Sequence, residues 1–175
     1  PNYEVWYEPW GAGDNAGGTV GALGWTGTSA GAGGGSVNWS NAPNHWGILA
    51  LSVSTSANSI HSLALGDTGN SNPWIPSLAG DTGWTNKWIW RLRQTNSVKC
   101  YLLLIGNGNY TQNTMENGVG IFINTSNSPS ITGYVVSSSV GTQTNLVNIV
   151  ADTWYTNEVW SQVAGTVLFN VNGGA

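Results

Sequence analysis

Charged residues are scarce in this 175-residue chain. Only 7% of its positions are Asp, Glu, Lys or Arg, whereas about 25% is usual for a soluble domain. The four Lys and Arg residues are outnumbered by eight Asp and Glu residues, so the formal net charge is −4. With so few cations the chain has no basic patch to neutralise phosphates, and we therefore expect neither a nucleic acid nor a membrane surface as partner.

Cysteine and long apolar runs are also nearly absent. The single cysteine, Cys100, excludes an internal disulfide, and its place before an apolar run predicts a buried, unreactive thiol. That run, Tyr101 to Ile105, has the length of a strand and falls far short of the ~18 residues of a membrane-spanning helix. Near the end, residues 169–174 (FNVNGG) have the pattern of a strand that enters a turn, so we expect the natural protein to continue past Ala175.

Helical periodicity is missing, and strand patterns take its place. No window places apolar residues at i, i+3, i+4 and i+7 without a Gly or a β-branched run interrupting it. The sequence predicts an all-β fold, a two-sheet antiparallel jelly-roll sandwich, in a single domain over residues 1–175 that lacks its last strands. Apolar stretches bounded by Gly, Asn, Pro or Ser lie at residues 19–25, 46–53, 60–65, 87–93, 101–105, 119–124, 131–136, 146–150, 154–163 and 166–171.

Three local arrangements are expected from this strand assignment. The runs 46–53 and 60–65 are separated by Ser, Thr and Asn residues and predict a hairpin. Residues 27–35 are rich in Gly and predict a flexible loop. Strands 87–93 and 101–105 follow one another in the sequence, so we expect them to pair as neighbours.

Tryptophan is the most over-represented residue, with 11 copies. Alternation in strand 87–93 places Trp88, Trp90 and Leu92 on one face. Trp154 follows a turn and begins a long strand, and we expect it to be buried between the two sheets. Four tryptophans lie in predicted loops, where indoles either stack on sugars or pack against protein: Trp10, Trp39, Trp74 and Trp84.

Four segments resemble known jelly-roll modules. Residues 151–155 (ADTWY) and 165–173 (GTVLFNVNG) resemble the late strands of concanavalin A-like, laminin-G-like jelly rolls. Residues 18–25 (GTVGALGW) and 44–51 (NHWGILAL) resemble the opening of the jelly-roll modules carried by tailed-phage virion proteins, although Trp46 stands where those modules have Pro. In a fold of this kind about two further strands would follow Gly174.

The resemblance implies a function outside the cell. Proteins of this kind serve as capsid decorations, tail-fibre modules and glycan-binding domains, so we expect a non-catalytic module of a phage virion with glycan affinity. Its expected location is the virion surface or the extracellular space, and its expected partners are other virion proteins or cell-surface glycans. We expect a homo-oligomer or a part of a larger assembly. The alternative is a secreted carbohydrate-binding module of a polysaccharide-degrading enzyme.

The acidic residues do not form a recognisable catalytic pair. Asp-Thr-Gly, the signature of aspartic proteases, occurs at residues 67–69 and again at 81–83. That chemistry needs two carboxylates about 3 Å apart from two lobes, for which this spacing leaves no room, so both segments are interpreted as turns. Glycosidases of concanavalin-like fold carry alternating carboxylates on one strand, which the sequence lacks. We expect no enzyme, and an unrecognised polysaccharide lyase or glycosidase stays open as a third hypothesis.

Metal ligands are few. The two histidines, His45 and His61, together with one cysteine do not supply a zinc site. Calcium needs several oxygen ligands, which Asp67, Asp81 and the Asn-rich loops would supply. We therefore expect no cofactor and leave Ca²⁺ open.

A glycan site can be predicted from the loops that flank strands 87–93 and 101–105. Sugars stack their apolar C–H faces on aromatic rings, while their hydroxyl groups bind amides and carboxylates. One carboxylate, two amides and two rings occur in these loops. The predicted ligand-binding residues are Asp81, Trp84, Asn107, Asn109 and Tyr110.

Overall fold

A computed structural model describes five strands within residues 19–64, and residues 83–109, 114–126 and 128–173. Every regular element in these residues is a strand, which confirms the prediction of an all-β chain for this part. The described residues contain no helix long and apolar enough to cross a membrane. Two compact units, residues 1–69 and 70–175, divide the chain. The prediction of a single domain over the whole chain stays a prediction.

The first unit contains two small antiparallel sheets. Its strands are β1 (Thr19–Val20), β2 (Trp25–Ala30), β3 (Gly35–Ala42), β4 (His45–Val53) and β5 (Ile60–Ala64). One sheet has the order β1-β2-β5, and the other pairs β3 with β4.

Three local predictions are wrong in this unit. We expected β4 and β5 to form a hairpin, but β4 pairs with β3, because the connection at residues 43–44 is far shorter than the one at 54–59 and costs less entropy to close. β5 pairs with β2 instead, and this pairing extends strand structure into the predicted Gly-rich loop. Trp39, which we placed in a loop, lies in β3.

The second unit contains two larger antiparallel sheets. The four-stranded sheet has the order β10-β9-β8-β7, so these four strands follow one another as a meander. The three-stranded sheet has the order β12-β11-β6. The strands are β6 (Trp84–Arg91), β7 (Lys99–Asn109), β8 (Thr114–Asn124), β9 (Ser128–Ser137), β10 (Val140–Asn148), β11 (Trp154–Ser161) and β12 (Leu168–Gly173).

One hydrophobic core joins the inner faces of these two sheets, as in a β-sandwich. Alternation along β8 buries Val119, Ile121 and Ile123 completely. They share a cluster with Trp90 of β6 and Tyr155 of β11, and these two rings stack with their centroids 5.1 Å apart. The Trp90 indole N–H donates a hydrogen bond to the buried side-chain oxygen of Asn157. The face that we predicted for Trp88, Trp90 and Leu92 is confirmed, because all three contact this core.

Consecutive strands β6 and β7 lie in different sheets, so the prediction that they pair is wrong. β6 pairs with β11 and β7 pairs with β8. The segment that connects β6 to β7 forms a hydrogen bond at each of its ends. The Val98 N–H donates to the Thr125 hydroxyl over 2.8 Å, and the Asp152 N–H donates to the Leu92 carbonyl over 2.8 Å. These contacts hold a crossover between sheets where the sequence pattern indicated a turn between neighbours.

Trp154 lies on the opposite face from the one we predicted. It is half-buried on the outer face of the three-stranded sheet, where the Arg91 guanidinium carbon lies 4.9 Å from the centre of its ring. The next residue, Tyr155, points inward and is only 2% exposed. Trp154 and Tyr155 are neighbours and both are large, so the sequence pattern is compatible with either one facing the core. The strand register, which pairs Trp154 with Arg91, places Trp154 on the outer face.

Cys100 is a free thiol on the inner face of β7, packed against the core. Burial raises the pKa of its thiol from 9.0 to about 11. At pH 8 the folded protein should then hold about 100-fold less thiolate than the unfolded chain. We expect iodoacetamide to label native Cys100 far more slowly than it labels the chain in guanidinium chloride. Equal rates in the two conditions would show that the thiol is accessible and unperturbed.

Candidate functional site

The outer face of the four-stranded sheet carries a groove. On β7, Cys100 and Leu102 pack against the core, so alternation places Lys99 and Tyr101 on the outer face. The groove has a volume of about 370 Å³, and outward side chains from all four strands line it. These are Lys99, Tyr101, Phe122, Asn124, Ser128, Ser130, Thr132, Tyr134, Gln143 and Asn145.

Strand register aligns these side chains in rows across the sheet. Tyr101 of β7 pairs with Phe122 of β8, which pairs with Thr132 of β9, which pairs with Asn145 of β10. In the next row Tyr134 pairs with Gln143. Each row therefore runs from an aromatic ring to an amide, and residues far apart in the sequence meet at one surface.

The tight turn between β9 and β10 fixes this register. Ser138 and Ser139 have φ angles of 49° and 64°. Two consecutive positive φ angles are characteristic of a type I′ turn. This is a two-residue hairpin connection whose twist matches the twist of the strands on either side. A shift of one residue would turn Gln143 and Asn145 to the core side. The turn thus determines which polar groups face the groove.

Three aromatic rings form the floor of the groove. Tyr101 and Phe122 stack with their centroids 4.6 Å apart, and Tyr134 lies tilted at 5.4 Å from Phe122 and 6.2 Å from Tyr101. Phe122 is buried between its neighbours, whereas the two tyrosines are half-buried. The result is an aromatic cluster on the outside of a sheet, where polar side chains are usual, and its two tyrosines supply most of the exposed ring area.

Hydroxyl and amide groups form the rest of the groove. The Ser128 hydroxyl donates to Ser130 over 3.1 Å, and the Ser130 hydroxyl donates to the Asn148 side-chain oxygen over 3.2 Å. The Thr132 hydroxyl donates to the Asn145 side-chain oxygen over 3.4 Å. These bonds orient the polar groups next to the rings.

Gly141 has no side chain and therefore leaves room for the Tyr134 ring. A Cβ atom added at Gly141 would lie 2.6 Å from the Tyr134 hydroxyl oxygen and 2.8 Å from its Cε2 atom. Any other residue at this position would therefore push the ring away from β10. The glycine allows the ring to lie close against the strand backbone.

Lys99 brings positive charge to the rings. Its Nζ atom lies 5.5 Å from the centre of the Tyr101 ring and 6.0 Å from that of Phe122, within the range of a cation–π contact.

Burial raises the pKa of the Tyr101 and Tyr134 phenols. At Tyr134 the charge of Tyr101 adds to this rise and Lys99 opposes it. Both phenols therefore remain protonated donors at neutral pH.

The residues that we predicted from the sequence are not brought together by the described structure. Trp84 is the first residue of β6, and its ring packs partly buried against the core while its buried Nε1 has no hydrogen-bond partner among the described residues. Asn107 and Asn109 lie at the end of β7, in the other sheet. Asp81 and Tyr110 lie outside the described residues. This site stays a prediction.

Sequence reasoning missed the groove, although its residues left a signal. The outward positions 101, 122, 124, 128, 130, 132, 134, 143 and 145 carry rings, amides or hydroxyls. The predicted site combined loop residues that are close in the sequence, whereas this signal appears only when the outward positions of successive strands are compared. That comparison would have found Tyr101, Phe122 and Tyr134.

No group of three or more His, Cys, Asp or Glu side chains that could hold a metal ion occurs in the described part of the chain. Asp67 and Asp81, the residues considered for calcium, lie outside that part. Comparison with protein-family models, with curated proteins and with solved structures finds no match for this chain.

Proposed function

We propose that this protein is a non-catalytic module that binds glycans in the groove of its four-stranded sheet. The main supporting observation is that Tyr101 and Phe122, whose rings stack, lie in one row across the sheet with Thr132 and Asn145. Rings, a hydroxyl group and an amide therefore lie side by side. A saccharide needs these two kinds of surface side by side, because its ring has apolar C–H faces and a polar hydroxyl rim.

The open shape of the groove favours an extended chain of sugars over a small enclosed ligand. The lining residues extend across all four strands, from Lys99 on β7 to Asn145 on β10. Adjacent strands lie ~4.8 Å apart, so a groove across four of them can hold several sugar units. Rigid strands preorganise the side chains, which limits the entropy lost on binding.

The non-catalytic part of the proposal rests on the sequence. Glycoside hydrolysis uses a pair of carboxylates that flank the scissile bond. Among the eight acidic residues, only Glu4 and Glu8 are close neighbours in the sequence. Lys99 is the one ionisable residue other than tyrosine among the described residues that line the groove. Binding therefore accounts for this set of side chains better than acid–base chemistry does.

A phage virion is the proposed setting, and a jelly roll of the concanavalin A-like kind is the proposed fold. Support comes from the sequence resemblance together with the second unit, where the two late segments of the resemblance lie at the antiparallel pair β11–β12. The secreted carbohydrate-binding module stays the alternative setting. The full-length gene distinguishes the two, because virion genes beside it favour the first and a fused catalytic domain favours the second.

Glycan-array screening tests the proposed function. The wild-type protein should bind a subset of the arrayed glycans, and Tyr101→Ala should lose that binding because it removes one ring of the stacked pair. Trp160→Ala is the matched control, since it removes an aromatic ring from β11, outside the groove, and should keep the binding. Wild-type protein that binds no arrayed glycan would contradict the proposal.

A further inference from the structure

We propose that β10 pairs with β10 of a second copy of this chain, so that two four-stranded sheets join edge to edge in a symmetric dimer. The inference concerns the edge of the sheet and does not depend on the function proposed for the groove. β10 is the outermost strand of its sheet, and β9 is the one strand that pairs with it among the strands that the structure describes.

β10 is exposed along almost its whole length. Eight of its nine residues are exposed, and only Leu146 is half-buried. Thr142 and Thr144 alternate with Gln143, which lines the groove on the outer face, so these two threonines lie on the side of the other sheet. Because both are nevertheless exposed, the three-stranded sheet does not cover this part of β10. A second strand can therefore approach its edge without a clash on either face.

Residues 140–145 lack the features that usually prevent edge strands from pairing. Natural edge strands are protected by charged side chains, by proline or by bulges. β10 contains no charged residue and no proline. Its bulge lies between Asn145 and Val147, beyond this segment. Residues 140–145 are therefore a regular, neutral and unprotected stretch of edge.

The other edge strands of the second unit differ from β10. β7, at the opposite edge of the same sheet, contains Lys99, and β6, at one edge of the other sheet, contains Lys87 and Arg91. β12 is also an uncharged edge strand, but its middle residues, 169–171, are half-buried. Of these four edges, β10 combines neutrality with full exposure.

The residue pattern of this edge fits a second copy of itself. A twofold axis brings a side chain close to its own copy, so a charge there would repel itself, and residues 140–145 contain none. With the axis at Gln143, Thr142 lies opposite Thr144 of the second copy on one face, and the two Gln143 amides meet on the other. Cross-strand Thr pairs stabilise antiparallel strands. The pairing occupies the exposed edge of both copies, so the assembly closes as a dimer.

This register keeps the outer faces of both sheets on the same side. Gln143 and Asn145 lie at the β10 end of the groove. The two grooves would therefore meet at the twofold axis, on one face of an eight-stranded sheet.

Self-association through this edge should be weak, because residues 141–145 of each chain form the contact. Interfaces well below ~800 Å² per partner are typical of transient complexes. We therefore expect a dissociation constant on the order of 10 μM. Sedimentation velocity of the whole chain over about 1–200 μM covers both sides of that value.

The experiment compares the wild type with two charge variants at the proposed axis, Gln143→Lys and Gln143→Glu. Each variant alone places like charges opposite each other, whereas an equimolar mixture of the two places opposite charges there. Asn172→Lys is the matched control, because it introduces the same charge at an exposed position of another edge strand, β12.

We expect a reversible monomer–dimer equilibrium for the wild type and for Asn172→Lys. Each Gln143 variant alone should associate at least about tenfold more weakly, and the mixture should recover the dimer, which also shows that both variants are folded. A wild type that stays monomeric over the whole range would overturn the inference and leave the edge to a different partner. Dimers that persist in both Gln143 variants, or a mixture that stays monomeric, would also overturn it. None of these results bears on glycan binding, which the array tests separately.

Discussion

Replacing Tyr155 with alanine should lower the free energy of unfolding by about 3–5 kcal/mol, the usual cost of truncating a buried aromatic residue. The ring is 2% exposed and stacks on Trp90, and its hydroxyl accepts a hydrogen bond from the Val150 N–H over 2.8 Å. The same change at its neighbour Trp154 should cost only about 1 kcal/mol, because that indole is half-buried and contacts Arg91 on the outer face.

Chemical denaturation of the two variants and of Tyr155→Phe gives the comparison. The phenylalanine variant keeps the ring and loses only the acceptor for the Val150 N–H, so we expect a loss of about 1 kcal/mol. If Trp154→Ala destabilises the protein as much as Tyr155→Ala, the assignment of the inner and outer faces of β11 is wrong.

Replacing Tyr101 with alanine should weaken glycan binding by about 30-fold, which corresponds to about 2 kcal/mol. The ring stacks on Phe122 at 4.6 Å and forms one end of the aromatic floor. Its removal leaves Phe122 without its stacked neighbour and takes away a contact surface for the sugar. Because Tyr101 is only half-buried on the outer face, the loss of stability should be modest by comparison.

Isothermal titration with the glycan that gives the strongest array signal measures this change. Tyr101→Phe keeps the ring and should bind within a few-fold of the wild type, which separates stacking from the phenol hydroxyl. Trp160→Ala should bind as the wild type does. If Tyr101→Ala binds with an affinity close to that of the wild type, the Tyr101 ring is not part of the binding surface.

The sequence was sufficient for most strands of the second unit and insufficient for their arrangement. Short apolar runs bounded by turn residues predicted the positions of most of these strands, because pleated strands and their turns have local signals. The exception is β10, which spans Val140–Asn148 although the predicted run was 146–150, because most of its residues are polar or Gly and give no apolar signal. The sheet that each strand joins depends on contacts distant in sequence. β6 pairs with β11, and the Leu92 carbonyl accepts a bond from Asp152, and neither contact has a local signature.

The location of the candidate site also depends on strand pairing, for which the sequence has no local signal. Its aromatic residues, Tyr101, Phe122 and Tyr134, belong to three strands, and only the register brings them within 6.2 Å of one another. Gly141 shows the limit most clearly, because its contact with Tyr134 depends on two strands lying side by side. The kind of chemistry, rings beside amides, was predictable from composition, whereas its location required the sheet.

Amide chemical-shift mapping tests the central claim most directly, because it locates the bound glycan on the fold. The strongest binder from the array is titrated into ¹⁵N-labelled protein. The account predicts that the largest shifts occur at Tyr101, Phe122, Thr132 and Gln143, along the outer face of the four-stranded sheet. Shifts confined to Trp84, Asn107 and Asn109, or to the outer face of β6, β11 and β12, would contradict it.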